Sequence, residues 1–255
     1  MSIELKDINY TYLKNTSYKQ CALNNINLTI NDGEYIGIVG KTGSGKSTLL
    51  DILSGLVKPD KGEVIYKGID RNDIGIIFQF VEKQLFETTV EKDVGFALKN
   101  RGIKDKTLIK EVIEYMGFDY EEVKDKSPLE FSIGEKRKIA IAGVLVTSPK
   151  YLILDEPFAS LDYDGKTQLI KMLNDLHLKG TTIIIISHSI DIICELTDRV
   201  IVLDNGKIIS DKETKTSLNG YERGYISKLA NKLNIANCLK YEDLLNEIEK
   251  RYKHE

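Results

Sequence analysis

The sequence predicts an α/β fold organised round a phosphate-binding loop, with an antiparallel β subdomain, an inserted helical subdomain and a small C-terminal helical extension. Three observations predict it. The string Gly40-Lys41-Thr42-Gly43-Ser44-Gly45-Lys46-Ser47 falls between an apolar run at residues 35–39 and a helix-like stretch at 48–53. Short apolar runs recur at 74–78, 151–154 and 181–186, as buried strands do. From about residue 80 to 150 apolar residues fall instead at three- and four-residue steps, as in Leu108, Ile109, Val112, Ile113 and Met116.

The loop sits where a strand turns into a helix. Gly40, Gly43 and Gly45 permit backbone angles that a Cβ would resist. Successive N–H groups then turn inward round phosphate oxygens, and the helix N-terminus adds its partial positive charge. Lys46 is placed to reach the β and γ phosphates, and Ser47 to ligate Mg²⁺.

Ahead of the loop, residues 2–12 and 23–30 alternate apolar and polar side chains and read as half-buried antiparallel strands. Tyr12 lies near the end of the first, where it either stacks on a flat base or packs as an ordinary strand aromatic. A further strand is expected at 63–66. The run at 74–78 ends at Gln79, on the edge where a parallel sheet presents ligands, a weak signal by itself. Within the helical stretch, Lys104-Asp105-Lys106 and the charged run 121–126 read as solvated charge. Ser132 and Glu135 have capping-box spacing and open another helix.

The run at 151–154 discharges two adjacent acids, Asp155 and Glu156. Such a pair is costly without a compensating cation. Mg²⁺ bound to phosphates supplies it if Asp155 faces the ion, which leaves Glu156 to orient and polarise water. Of the three histidines, His188 alone follows a core strand, while His177 and His254 read as surface. Asp204-Asn205-Gly206-Lys207 is a hairpin turn. Strand ends at Gly40, Gln79, Asp155-Glu156 and His188 are therefore expected on one ligand-binding edge. Past residue 215 only helical spacing remains, at Ile226, Leu229 and Leu233 and again from Tyr241 to Tyr252. The division expected is a P-loop NTPase core at 1–79 and 151–215, including the antiparallel β subdomain, a helical subdomain at 80–150 and an extension at 216–255.

Composition narrows the class. Lys and Arg total 36 against 39 Asp and Glu, a net charge of −3, so no global basic field favours nucleic acid. Cys21, Cys194 and Cys238 lack metal-ligand spacing, no secretory signal is read at the start, and no apolar run is long enough to span a bilayer. A reducing cytosol is expected, with any membrane role exercised through a partner.

Taken together these residues resemble the nucleotide-binding subunits of ABC transporters over about residues 3 to 210. Residues 40–47, with Thr48 following, are similar to the Walker A loop, Gln79 to the Q-loop, 152–156 to the Walker B strand, Ala159-Ser160-Leu161-Asp162 to the D-loop and His188 to the switch histidine. The resemblance implies ATP and Mg²⁺ as ligands. It makes Tyr12 the adenine-stacking aromatic, places Lys41, Thr42 and Ser44 with the loop glycines at the nucleotide, and puts Ser47, Gln79 and Asp155 round Mg²⁺, directly or through water. Glu156 orients the attacking water and His188 contacts the γ-phosphate. In the family two subunits sandwich two ATP molecules, each site joining one subunit's Walker loops to the other's signature.

A narrower resemblance lies in residues 78–96, followed by Asn100-Arg101-Gly102, and in Ala142-Gly143-Val144-Leu145. It is to the energy-coupling-factor ATPases, whose modules import vitamins and transition-metal ions. Residues 78–82 and the long segment 14–21 are most similar to the second of two paired ATPases. The partners this implies are a second ATPase subunit, in a heterodimer or a homodimer, a transmembrane coupling protein touched by the segment after Gln79, and a separate substrate-binding membrane protein. The expected location is the cytoplasmic face of the membrane. The rivals are an ATPase of another ABC transporter and a soluble, non-transport relative. Residues 84–100 count against the first, and the lack of a long coiled coil or tandem unit counts against the second.

The signature departs from the family's usual Leu-Ser-Gly-Gly-Gln, reading Phe131-Ser132-Ile133-Gly134-Glu135. Ser132 and Gly134, which would meet the partner subunit's γ-phosphate, are retained. Ile133 adds bulk and Glu135 an anion. A like charge beside a triphosphate in a dry interface costs on the order of several kcal/mol unless offset. Two outcomes stay open: a heterodimer with unequal sites, in which the site this signature completes is impaired, or a signature that tolerates both residues.

Overall fold

The computed structural model describes residues 1–80, 83–159, 161–214, 225–233, 235 and 240–252. The chain divides into two compact units, one of Met1–Lys67 with Ile184–Glu255 and one of Gly68–Ile183.

In the first unit, β1 (Ser2–Tyr12), β2 (Gln20–Asn31) and β4 (Lys61–Lys67) form an antiparallel sheet in the order β2-β1-β4. The apolar alternation slips phase between Leu5 and Ile8 and between Leu23 and Ile26. The β1–β2 register shifts at both places, and Asp7 and Asn25 hold positive φ of 51° and 54°. A bulge inserts a residue and restores the inward face, so Ile3, Leu5, Ile8, Leu23, Ile26 and Ile30 are all buried.

The strand β3 (Tyr35–Val39) is buried along its whole length and leads through the loop into α1 (Lys46–Leu53). Leu49, Leu50, Ile52 and Leu53 of α1 are at most 1% exposed. Each such side chain contributes about 1.5–3 kcal/mol on burial. An isolated helix of 8 residues is marginal in water, so this apolar face is what fixes α1. A parallel ladder joins β3 to β8 (Arg199–Asp204), from Ile36↔Arg199 to Val39↔Val202, and β8 turns into antiparallel β9 (Lys207–Glu213). Two C-terminal helices, Tyr225–Lys232 and Tyr241–Tyr252, have a small core of their own: Ala230, Ile235 and Leu244 are buried, with Ile226 and Ile248 packed on them. Cys238, His254 and residues 215–224 lie outside the described residues.

In the second unit, β5 (Ile74–Ile77) pairs in parallel with β6 (Tyr151–Asp155), from Ile74↔Tyr151 to Ile77↔Leu154. The unit also holds α2 (Val90–Asn100), α3 (Lys106–Tyr115), the single turn α4 (Tyr120–Val123), α5 (Ile133–Leu145) and α6 (Tyr163–Leu178). The helix α5 packs on both α2 and β5. It can lie against the strand because Gly75 has no Cβ: one would stand 2.5 Å from Val144 Cγ1. The division between the units falls inside β7 (Thr182–Ile186), which α7 (Ile190–Leu196) follows.

The charge expected to be solvated has local work. Asp105 caps α3 through the N–H groups of Thr107 and Leu108, and Lys106 pairs with Glu91 at 2.8 Å. His177, expected at the surface, is part-buried with Nδ1 3.4 Å from Thr181 O.

Candidate functional site

In the first unit β3 delivers the chain into the loop. Gly43 and Gly45 hold φ of +80° and +104°, left-handed values that glycine adopts without penalty. Gly40 answers a different need, since a Cβ there would stand 2.2 Å from Leu203 O and 2.6 Å from Ser44 Oγ. The turn between β8 and β9 closes on the same loop. Gly206 N–H donates to Ser44 O at 2.9 Å, Asn24 N–H donates to Gly206 O at 2.8 Å, and a Cβ on Gly206 would stand 2.6 Å from Ala22 O.

The helix α1 begins at Lys46 with no side-chain cap, whereas Thr89, Asp105, Asp119, Ser132 and Asp162 cap α2 to α6. Its first N–H groups therefore suit an external anion, and the left-handed glycines beside them fit a phosphate. Lys46 Nζ donates to Gly40 O at 2.8 Å and to Lys41 O at 3.0 Å, which holds the ammonium against the loop. Lys41 and Thr42 are exposed in the loop, and Ser47 is exposed in the first turn of α1. A hydroxyl in that place is a donor type suited to Mg²⁺.

Tyr12 and Thr48 meet, their hydroxyls 3.0 Å apart. Tyr10 touches the Tyr12 ring edge-on, with centroids 4.9 Å apart, and Tyr12 is still 40% exposed. His188 is exposed immediately past β7. Ser187 N–H donates to Ile38 O at 3.3 Å, so His188 and Gly40 leave neighbouring strands.

In the second unit β5 and β6 run side by side, and Gln79 and the Asp155-Glu156 pair leave their ends together. Asp155 closes the buried strand at 9% exposure. Glu156 holds a φ of +48°, a left-handed value that strains a residue with a Cβ. Its carbonyl accepts from Ala159 N–H at 3.2 Å and from the guanidinium of Arg137 at 3.5 Å. Arg137, 4% exposed on α5, also donates to Pro157 O and, at 3.3 Å, to Gln79 O.

Gln84 folds back on β5, its amide donating to Ile76 O at 3.2 Å and accepting from Phe78 N–H at 3.1 Å. Buried Asp93 accepts from Phe86 N–H at 2.9 Å and Glu87 N–H at 2.8 Å. Burial raises its carboxyl above the ordinary aspartate value, and the two N–H groups partly offset this. Val81 and Glu82, between these fixed points, lie outside the described residues, as does Ser160.

Ser132 caps α5 and Asp162 caps α6, the latter accepting from Gly165 N–H at 2.8 Å. Both open on one cleft of about 770 Å³, which Gly134 and Glu135 also line. The capping box is fully formed: Ser132 donates its hydroxyl and its N–H to Glu135 Oε2 at 2.7 and 2.9 Å, and Glu135 N–H donates to Ser132 Oγ at 3.3 Å. These bonds hold the Glu135 carboxyl below the usual glutamate value. Ile133 is 61% exposed, and a Cβ on Gly134 would meet nothing within 4 Å.

Sequence reasoning missed Arg137, Gln84 and Asp93, and read Gly206 only as part of a hairpin turn. For Arg137 a signal existed. It falls at four-residue spacing from Ile133 and Ile141, a cation on an otherwise apolar stripe.

A phosphate loop on an uncapped helix, in a chain whose other buried strands end in an acid pair and an exposed histidine, defines a P-loop nucleotide hydrolase. The chain matches the ABC transporter family over residues 23–159. It is 43% identical over 226 residues to the energy-coupling factor transporter ATP-binding protein EcfA2 of Clostridium perfringens, covering 83% of this chain and 79% of the relative. The EcfA2 of Thermotoga maritima is 41% identical, with 90% of each chain covered. Among solved structures, cbiO1 of Clostridium perfringens, part of the ABC transporter complex cbiONQ, superposes with a TM-score of 0.75 at 35% identity, over 91% of this chain and 95% of that one. The ATP-binding cassette MJ0796, solved as a dimer in a post-hydrolysis state with ADP and Pi, gives 0.75 at 28% identity, over 83% and 98%. The chain belongs to the ABC transporter family, within its energy-coupling factor transporter ATP-binding proteins.

Proposed function

We propose that this chain binds and hydrolyses ATP as one of two ATPase subunits that power an energy-coupling factor importer for vitamins or transition-metal ions. It works at the cytoplasmic face of the membrane, on a transmembrane coupling protein that also carries a separate substrate-binding membrane protein. Among the described residues no helix is long and apolar enough to cross a membrane. The observation that carries the reading is the uncapped, glycine-lined start of α1 in a chain 43% identical to an EcfA2 protein.

In this reading the amides of residues 40–47 and Lys46 hold the phosphates, and Tyr12 stacks on adenine with its hydroxyl tethered to Thr48. Ser47, Gln79 and Asp155 would hold Mg²⁺, directly or through water, and the ion would supply charge neutralisation at the transferring phosphoryl group. Glu156 orients the attacking water and His188 steadies the γ-phosphate. Positioning and electrostatic stabilisation supply most of the rate. Residues 80–150, read as the helical subdomain, meet the coupling protein through the segment after Gln79, and Asp162 belongs to the loop facing the second ATPase.

The formed capping box favours unequal sites. Gly134 is open within its own chain, as a position approached from outside requires. The Ser132 hydroxyl, however, is already given to an ionised carboxylate. The site completed by this signature in the partner is therefore the weaker one, and the site built on this chain's Walker loops does most of the hydrolysis.

A tagged pull-down from detergent-solubilised membranes tests the assignment. Recovery of a second, different ATPase with membrane proteins is the expected result. Recovery of this chain alone, or with ribosomes or DNA, overturns it. Replacing each subunit's Walker B glutamate in turn tests the asymmetry, and equal losses of turnover defeat it.

A further inference from the structure

We propose that Arg137 is a positioning residue that ties the signature helix to both the Gln79 loop and the Glu156 turn, so that the state of the helix tip is transmitted to this chain's own water-orienting carboxylate. This rests on the preceding reading, in which Ser132 acts in the partner's site and Glu156 in this chain's own.

Three observations in one unit carry it. Arg137 stands five residues past the N-cap Ser132 on the same helix. A rigid helix of that length places it about 7.5 Å below the tip, so a shift of the tip moves the guanidinium. Second, its acceptors are carbonyls from the ends of two different strands: Glu156 O and Pro157 O after β6, and Gln79 O after β5. One nitrogen serves the Glu156 turn and the other serves Gln79, a division that the planar fork of arginine permits and the single ammonium of lysine does not. Third, Glu156 holds a φ of +48°. A strained conformation persists where surrounding contacts over-determine it, and Arg137 donates to the Glu156 carbonyl alongside Ala159 N–H.

Its burial at 4% exposure makes Arg137 a structural element as well. The positioning role is separable because it predicts a loss in turnover and not in nucleotide affinity: the acceptors Glu156 O, Pro157 O and Gln79 O are backbone carbonyls outside the phosphate loop. Misplacing a reacting group by about 1 Å slows a step by on the order of a hundredfold, and a partial release of the Glu156 turn is expected to fall short of that.

The test uses the full membrane complex with its second ATPase. ATP turnover, its dependence on ATP concentration, the Kd of a fluorescent ATP analogue and the Tm are measured for wild type, Arg137→Lys and Arg137→Met. The expected result is a kcat roughly tenfold lower in Arg137→Met, with a smaller loss in Arg137→Lys, which keeps the charge but not the fork. The analogue Kd stays within about twofold, and cooperativity towards ATP falls in both variants. Full turnover and cooperativity per folded complex, with only the Tm lowered, overturn the proposal. So does a fall in affinity that accounts for the lost turnover. Arg137→Lys carries the test if Arg137→Met does not fold. A wild-type complex that hydrolyses no ATP defeats the functional reading itself, and shows it before any variant is measured.

Discussion

Ser132 gives both its hydroxyl and its backbone N–H to a single carboxylate oxygen of Glu135, at 2.7 and 2.9 Å. The signature of this chain therefore bonds to itself before anything approaches it. Glu135→Gln removes the charge and keeps an acceptor for the cap, so α5 is expected to lose no more than about 1 kcal/mol. Combined with Ile133→Gly, it is expected to raise the nucleotide trapped per complex by vanadate from about one towards two. An unchanged count in the double variant means that neither residue silences the site.

The same carboxyl sets an acid limit. Its pKa is lowered by the Ser132 hydroxyl and then by the Ser132 N–H. A depressed carboxyl stabilises the folded state above its unfolded pKa, near 4.5, and that contribution is lost as pH falls through the lower folded value. The Tm of wild type is expected to exceed that of Glu135→Gln at pH 7, with the gap closing below about pH 4.5. The group is largely solvated, so the gap is small. A gap that widens in acid contradicts the assignment.

Tyr12 offers a cleaner separation. Tyr12→Phe gives up the bond to Thr48 and retains the ring, so ATP affinity is expected to change by about threefold or less. Tyr12→Ala removes the face, and base stacking of about 1–3 kcal/mol predicts a loss near tenfold or more. Equal effects in titrations of the two variants would show that the hydroxyl tether, and not the stack, matters.

Asp93 holds the loop that follows Gln79. Asp93→Ala releases the N–H groups of Phe86 and Glu87 at a cost of about 2 kcal/mol. Its carboxyl is raised by burial, so its ionisation weakens the fold as pH rises from about 3.8 through the folded value. Asp93→Asn keeps one acceptor without the charge and is expected to lie closer to wild type. Copurification with membrane partners should fall in Asp93→Ala while ATP affinity holds. Loss of both in parallel would place Asp93 in general stability alone.

Strand and helix content was legible wherever period and length agreed. The alternation at 2–12 and 23–30 and the helical spacing at 90–116 reappear as β1, β2, α2 and α3. The phosphate loop was legible because its spacing and its flanks are both local. Arg137, Asp93 and Gln84 were not, because their acceptors and donors lie 6 to 58 residues away, a distance no periodicity encodes. The capping role of Asp105 was not legible for a related reason: within a charged run nothing marks the one residue whose oxygen faces a helix start. Glu156 was located as an acid, but its left-handed backbone has no trace in composition.

The turn at Gly206 carries a practical consequence for anyone who wishes to watch this protein at work. A glycine-containing hairpin tip is where a fluorophore or an epitope would ordinarily be attached. Here that tip is wedged between Ala22 and the Ser44 carbonyl, so a probe at residue 206 would report its own damage to the phosphate loop. The turn at Gly33 is the better handle. Its φ of +75° disfavours a side chain on that residue, but nothing stands within 4 Å of where a Cβ would be. An insertion beside it can lead a label out into solvent while leaving nucleotide chemistry to be measured undisturbed.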